Sequence, residues 1–312
     1  MTPPLTILFA GAGEFGVPTL RALVAAGHKV PLVVTQPDKP AGRGAKLTPT
    51  PVAAAAVELG LPVVKTADIN AEPLPPADLL VVIAFGQKIG EHVVNAPRLG
   101  AVNLHASRLP RYRGAAPINW AILAGETVAG NSVIRMAKKM DAGAVLGMSE
   151  VPIGELETAG ELHDRLSLDG VGLMTRVIDD LAAGLAAERE QDHAAATLAP
   201  KLSRELAKLD FAKPAAEVAR TIRGLSPWPG CRVKVLSADG SPAGTLRLVR
   251  ARAHPSGTAT AKPGEVLASG HVAAGDGAVE LVEVQPDGKR PMPLGDYRRG
   301  NAWHAGMRVV AE

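Results

Sequence analysis

The run Leu79 to Phe85, LLVVIAF, is apolar at every position and closes on Gly86. A helix buried on all sides needs a longer run, and a half-exposed strand would alternate with polar residues. The run therefore predicts a strand covered on both faces, as at the centre of a parallel sheet. Its neighbours fit the same plan. LTILFAG (5–11), KVPLVVTQ (29–36), LPVVK (61–65) and GAVNLHA (100–106) read as further strands. Between them, VPTLRALVAA (17–26) sets Val17, Leu20, Leu23 and Val24 at helical spacing. PVAAAAVEL (51–59) predicts a second helix, and Gly27 and Gly60 stand where C-terminal caps belong. NSVIRMA (131–137) and AVLGMSEVPI (144–153) predict two more strands joined by KKMDAG. A long helix over about 158–184 carries the stripe Leu162, Leu166, Met174, Ile178, Leu181 and Leu185. The alternation predicts an α/β fold with a doubly wound, mostly parallel Rossmann-like sheet.

The texture changes after Leu185. Residues 186–210 are polar, Ala-rich and poor in strand formers, and read as a connector. AAEVARTIRGL (215–225) is a short amphipathic helix. From Cys231 come CRVKVLSA, TLRLVRARA, GEVLAS, HVAAG and AVELVEVQP, short strands broken by Gly, Pro and Asp turns. That pattern predicts a small OB-like β-barrel. The expected organisation is a catalytic Rossmann-like domain over 1–189, a linker over 190–208 and a C-terminal barrel domain over 209–312.

Composition narrows the setting. The single cysteine, Cys231, excludes an internal disulfide and any multi-cysteine metal site. It follows WPG at a strand start and reads as a buried structural thiol. No apolar run has the length of a membrane span, and MTPPLTILFAGAG lacks the basic start of a signal peptide. A cytoplasmic protein without membrane contact is the expectation. Of the 34 Lys and Arg, seventeen lie from residue 201 onward, against eleven of the 31 Asp and Glu. The acidic front and basic back suggest a polyanion held by the back half, or simply a solvated basic surface.

LFAGAGEFGVP (8–18) matches G-x-G-x-x-G at Gly11, Gly13 and Gly16, with a strand before and a helix after. A dinucleotide site also needs an acid at the tip of the second strand, to hold the ribose. That tip is Thr35-Gln36, and Asp38 lies beyond Pro37. Glu14 would repel a pyrophosphate at the helix start. The other reading is that these glycines let strand and helix pack closely.

AVNLHASRLPRYRGAAPINWAIL (101–123) carries more chemistry. Asn103 and His105 sit two apart at a strand end, so both side chains leave one face. Ligands of open α/β sheets bind outside such ends. The pair is either a hydrogen-bonded turn stabiliser or two polar groups aimed into a crevice. Asp141, in the turn MDAG, is an Asx-turn residue on its own. Together with the pair it completes a coherent site. A carboxylate orients an imidazole, and an amide donates to a developing oxyanion.

NLHASRLPRYRGAAPINWAIL and MDAG resemble the hallmark segments of the 10-formyltetrahydrofolate-dependent formyltransferases. QPDKPAGRGAKLTPTPV (36–52), SPWPG (226–230) and KRPMPLGDYRRG (289–300) are similar to the methionyl-tRNA formyltransferase family within them, over nearly the whole chain. The resemblance implies a formyl group moved from 10-formyltetrahydrofolate to the α-amine of initiator methionyl-tRNA, for translation initiation. It implies no metal, and a first turn that binds no NAD. Asn103 and His105 would stabilise the oxyanion, and Asp141 would orient His105 and help move the proton. Folate would lie along Phe85, Gly86, Gln87, Lys88 and Ile89, and against Ser107, Arg108, Leu109 and Pro110. The tRNA would meet Lys39, Arg43 and Lys46 in the basic loop, with Arg43 as the wedge. Lys201, Arg204, Lys208, Arg220, Arg223 and Arg232 would hold it further along. A monomer is expected. Arg108 departs from the family's usual leucine and puts a cation beside the folate site. A formyltransferase acting on a small nucleotide or sugar-nucleotide amine, and a nicotinamide-dependent reductase, are the rival readings.

Overall fold

The computed structural model describes residues 3–41, 46–255 and 261–312. The chain forms two compact units, the first built from 1–114, 130–151 and 163–198, the second from 115–129, 152–162 and 199–312.

The first unit is organised by a seven-stranded sheet. Its strands are β1 (Ile7–Gly11), β2 (Val33–Thr35), β3 (Val63–Lys65), β4 (Leu79–Ile83), β5 (Ala101–His105), β6 (Ser132–Arg135) and β7 (Val145–Met148). Their spatial order is β7-β6-β5-β4-β1-β2-β3. The wholly apolar β4 lies in the middle, parallel to β1 on one side and β5 on the other, with all five residues buried. β6 and β7 run antiparallel at one edge. The mostly parallel, doubly wound plan is thus present, with β6 reversing direction beside the strand that carries Asn103 and His105.

Helix α1 (Val17–Ala25) ends as expected, with Gly27 at a φ of +83°. The Gly27 amide donates to the Val24 carbonyl and the His28 amide to the Leu23 carbonyl, which closes the helix end. The glycine-rich turn before α1 has a packing reason. A Cβ at Gly11 would lie 2.9 Å from the Ile83 carbonyl oxygen, so the bare backbone is what lets β1 approach the end of β4. Asp38, the acid beyond the tip of β2, is paired with Lys65 at 2.8 Å.

In the second unit, α5 (Ala215–Gly224) packs on a six-stranded antiparallel sheet, and α3 (Pro117–Ala124) packs against α5. Here α2 denotes Pro51–Glu58 of the first unit, and α4 denotes the helix Ala159–Ala183. The main strands are β8 (Cys231–Leu236), β9 (Pro242–His254), β10 (Val272–Ala274), β11 (Gly277–Pro286) and β12 (Arg308–Ala311), in the order β10-β11-β9-β8-β12. GEVLAS bridges the two ends. Its Val266 amide donates to Met307 and the Ala273 amide donates to its Glu265, so the sheet is nearly closed into a barrel. Val218, Ile222, Val233, Leu246, Val279 and Val309 fill the interior.

Two side chains here have strongly displaced ionisation, each with a measurable consequence. Burial pushes the Cys231 thiol up to about 12. The native protein is therefore expected to react with a thiol reagent at least about a hundredfold more slowly than the unfolded chain. Glu161 closes a capping box at the start of α4, where its Oε2 accepts from the Thr158 amide and hydroxyl, both at 2.9 Å. A hydrogen bond from Arg250 lowers the Glu161 carboxyl to about 2, and the Thr158 bonds act in the same direction. A lowered carboxylate contributes stability above its unfolded value near 4.5 and loses it as pH falls towards 2. Because the side chain is 48% exposed, the contribution is at most about 1 kcal/mol. Denaturation midpoints across this pH window should slope less in Glu161→Gln than in the wild type.

Among the described residues no helix is long and apolar enough to cross a membrane.

Candidate active site

The site is built on β5. Asn103 pairs in register with Ile134 of β6, and His105 with Ser132. Their period of two puts both side chains on one face of the sheet. The Asn103 amide is half-buried and bonds to no other residue among those described. An amide left unpartnered on a structured strand is available to a ligand. His105 is buried, and its ring is held from both sides. Its Nε2 lies 3.0 Å from the Tyr112 carbonyl oxygen, and a carbonyl accepts only, so this nitrogen carries hydrogen. Its Nδ1 lies 3.7 Å from Oδ1 of Asp141.

Asp141 reaches this place by an indirect route. β6 runs antiparallel to β5, so its last residue, Arg135, stands opposite Val102, well short of His105. The turn MDAG folds back from there. Gly143 is required at its end, because a Cβ would lie 2.0 Å from the Arg135 carbonyl oxygen. Asp141 itself has a φ of +53°. Its second oxygen, Oδ2, accepts the Gly114 amide at 2.9 Å. One carboxylate oxygen is thus anchored to backbone while the other faces the imidazole.

Backbone strain marks the same place. Among the described residues, three non-glycine residues have left-handed φ: Ala84, Tyr112 and Asp141. Tyr112 and Asp141 are the two that touch His105. Ala84 follows β4 directly, at the start of the loop expected to hold folate. Such conformations cost about 1–3 kcal/mol each and persist where surrounding contacts impose them.

The structure sorts the other expected residues. Phe85 packs in the core beside β4, so its side chain is not free, and its carbonyl accepts the Gln36 amide at 3.0 Å. Gln87 spends its amide on Thr66 and Ile69. Gly86 has a φ of +76°, the Lys88 carbonyl accepts the Asn70 side-chain amide at 3.0 Å, and Ile89 packs against the same core as Phe85. Ser107 is turned inward, where its hydroxyl donates to the Arg111 carbonyl. Leu109 is buried against Ile134 and Val145, and Pro110 is half-buried. Arg108 is paired with Glu150, so the expected cation beside the site carries its own counter-charge.

The basic residues are equally uneven. Lys39 and Lys46 are exposed on a hairpin of Lys39–Ala41 and Lys46–Thr48, and Arg43 lies outside the described residues. Lys201 and Arg204 are exposed without an ion pair among the described residues. Lys208 is paired with Glu205, and Arg232 with Asp287 and Glu312. Arg220 and Arg223 are half-buried beside a cavity of about 250 Å³. Burial, and then the charge of Arg220, lowers the Arg223 guanidinium, whose Nη1 donates to the Glu157 carbonyl.

Gln191 and Arg113 escaped sequence reasoning. Both are buried, and Gln191 donates to the Asp141 carbonyl. Gln191 lies in the polar stretch read as a connector, where nothing local announces burial. In the structure this stretch is tied down: Arg189 exchanges hydrogen bonds with Val145, and the Thr197 carbonyl accepts the Arg113 amide.

Comparison with known proteins places this geometry. Residues 5–178 match the model of the formyl transferase family, and residues 201–302 match that of the formyl transferase C-terminal domain. The chain is 42% identical over 315 aligned residues to methionyl-tRNA formyltransferase of Methylobacterium nodulans, covering 98% of this chain and 100% of that one. Methionyl-tRNA formyltransferase of Methylococcus capsulatus is 41% identical, with 98% and 99% covered. Among solved structures, HypX from Aquifex aeolicus in complex with tetrahydrofolic acid superposes with a TM-score of 0.61 at 21% identity, over 96% of this chain and 48% of that one. WlaRD, a sugar 3N-formyl transferase, gives 0.65 at 16% identity, over 92% and 100%. At these identities the structural likeness establishes the fold.

Proposed function

Because the chain belongs to the formyl transferase family, we propose that it moves a formyl group from 10-formyltetrahydrofolate to the α-amine of methionyl initiator tRNA. Relatives named for the tRNA reaction match it at 41–42% identity from end to end, which supports this acceptor over a small nucleotide. The observation that carries the chemistry is the carboxylate of Asp141 set 3.7 Å from His105, beside the free amide of Asn103.

The residues present fit a formyl donor. The unpartnered Asn103 amide points off the sheet face, and the 85–89 loop offers backbone groups that can match the amide-like edges of a pterin. The folate co-substrate supplies an activated formyl carbon when bound. The methionyl amine adds to that carbon, and the formyl oxygen becomes negative. Asn103 donates an N–H to this oxygen, and His105 helps to stabilise it. Removing one such donor costs about 3–4 kcal/mol of barrier in comparable sites. The added amine must lose a proton, and the departing folate nitrogen must gain one. Asp141 fixes the ring and stabilises a proton at Nδ1, so the His105–Asp141 pair can take the first and return the second. The products are formylmethionyl-tRNA and tetrahydrofolate.

In this reading 1–189 carries folate and chemistry and 209–312 holds the tRNA body, while 190–208 links them and lends Gln191 to the Asp141 turn. The basic segment 39–46, with Lys39, Arg43 and Lys46, meets the acceptor end, whose unpaired bases and backbone suit a cationic partner. The protein works in the cytoplasm as a monomer. An assay of formyl transfer to charged initiator tRNA, with free methionine as control, tests the reading directly. Transfer to a sugar-nucleotide amine with none to tRNA would overturn it.

A further inference from the structure

A closed ring of hydrogen bonds surrounds the Asp141 turn. Gln191 is 6% exposed, and its Nε2 donates to the carbonyls of Asp141 at 2.9 Å and Gly143 at 2.8 Å. Its Oε1 accepts from Nε and Nη2 of Arg113, at 3.2 and 2.6 Å. Arg113 is 5% exposed and makes no ion pair among the described residues, and its remaining side-chain bond is to Nδ1 of His193 at 2.9 Å. Gly114, next in the chain, returns the ring to its start by donating its amide to Oδ2 of Asp141.

Three physical consequences follow from this ring. First, the orientation of the Gln191 amide is fixed. Reversing it would set its oxygen against two carbonyl oxygens and its nitrogen against a guanidinium. Second, a buried guanidinium that leans on a neutral amide polarises it, which strengthens the two N–H bonds on the far side. An arginine buried without a carboxylate is costly to the fold, so each hydrogen bond that it makes weighs in its favour. Third, Asp141 has left-handed φ, which a non-glycine residue keeps only when its neighbours over-determine it. Gln191 grips the turn at 141 and 143, on both sides of Ala142, and so imposes that conformation.

We propose that Gln191, locked by the buried Arg113 guanidinium, is a positioning residue that sets the Asp141 carboxylate against His105. The proposal rests on the reading that this carboxylate acts through His105. Neither Gln191 nor Arg113 touches the reacting atoms. They act on the backbone of the turn, and the turn aims the acid.

The test uses the full chain and the variant Gln191→Glu. The new carboxylate keeps the shape and pairs with Arg113, so the fold is retained. It has no hydrogen for the two carbonyls and pushes the turn away. The kcat for formyl transfer is expected to fall between about ten- and a hundredfold, the effect of a displacement near 1 Å. KM for folate and for tRNA should stay within about twofold, and the thermal midpoint should remain close to wild type. A second readout needs no substrate. The Gly114 amide bonds to Asp141, so its hydrogen exchange reports the position of the carboxylate, and it should speed up about tenfold. Gln191→Met, which loses both sets of bonds, should show the same faster exchange. Unchanged kcat with unchanged Gly114 exchange would overturn the proposal. So would a fall in kcat with Gly114 still protected, since the loss would then not pass through Asp141. A wild-type protein that fails to formylate tRNA would remove the functional reading alone, because the exchange result still judges the brace.

Discussion

Asp141→Asn is expected to lower the rate of formyl transfer by about three orders of magnitude while folate affinity stays within about twofold. The substitution keeps the shape of the side chain. Its oxygen can still accept the Gly114 amide, so the turn keeps its place. What changes lies on the other side, where an N–H would now face Nδ1 of His105 in place of a carboxylate oxygen at 3.7 Å. That N–H favours a bare Nδ1 and opposes a proton there. The amide N–H then occupies the Nδ1 lone pair, so the attacking amine has no free acceptor in reach, and the ring is a weaker partner for the negative formyl oxygen. General acid–base groups contribute about 10²–10⁴ in rate, and the loss should fall inside that span. Single-turnover transfer with saturating tRNA measures the chemical step, and a fluorescence titration with folate measures binding. An unimpaired single-turnover rate would take Asp141 out of the mechanism.

Where the chain was legible and where it was not follows from the range of the forces involved. LLVVIAF reads as a central strand because burial on both faces demands apolar side chains at successive positions, a requirement visible within seven residues. Gly27 and Gly60 read as caps because only local backbone conformation is at stake, with φ at +83° and +69°. Asn103 and His105 share a face by the period of the strand alone. The route of Asp141 to them could not be read in this way. It depends on β6 being antiparallel and on MDAG folding back, and the reason for Gly143 is a carbonyl eight residues earlier. Strand β12 was missed because RVVA is too short to show alternation. Gln191 was missed for the opposite reason. A glutamine among Ala, Glu and Asp looks solvated, and its burial exists only because Arg113 and two turn carbonyls converge on it from 78, 50 and 48 residues away. Arg108 likewise looked like a free cation until Glu150 supplied its partner.

That last lesson decides which cations to remove in testing the tRNA reading. Lys208 and Arg232 are held by acids of their own, and Arg223 is half-buried on the Glu157 carbonyl, so each has already spent much of its attraction for phosphate. Lys39 and Lys46 stand exposed on opposite strands of a two-stranded arm, with Arg43 in the segment between. Leu47 beside them is 65% exposed, an apolar surface that an unpaired base could cover. Replacing Lys39, Arg43 and Lys46 together by serine is therefore expected to weaken binding of initiator tRNA about a hundredfold near 0.1 M monovalent salt. Each phosphate contact at a single-stranded end contributes about 0.7 to the slope of log affinity against log salt, so the slope should flatten by about two. Lys208→Ser with Arg232→Ser should change the slope by well under one. A triple variant that keeps the wild-type slope would mean the arm meets no phosphate. An equal flattening in the double variant would mean that its ion pairs open on binding, and the grip would then belong to the barrel.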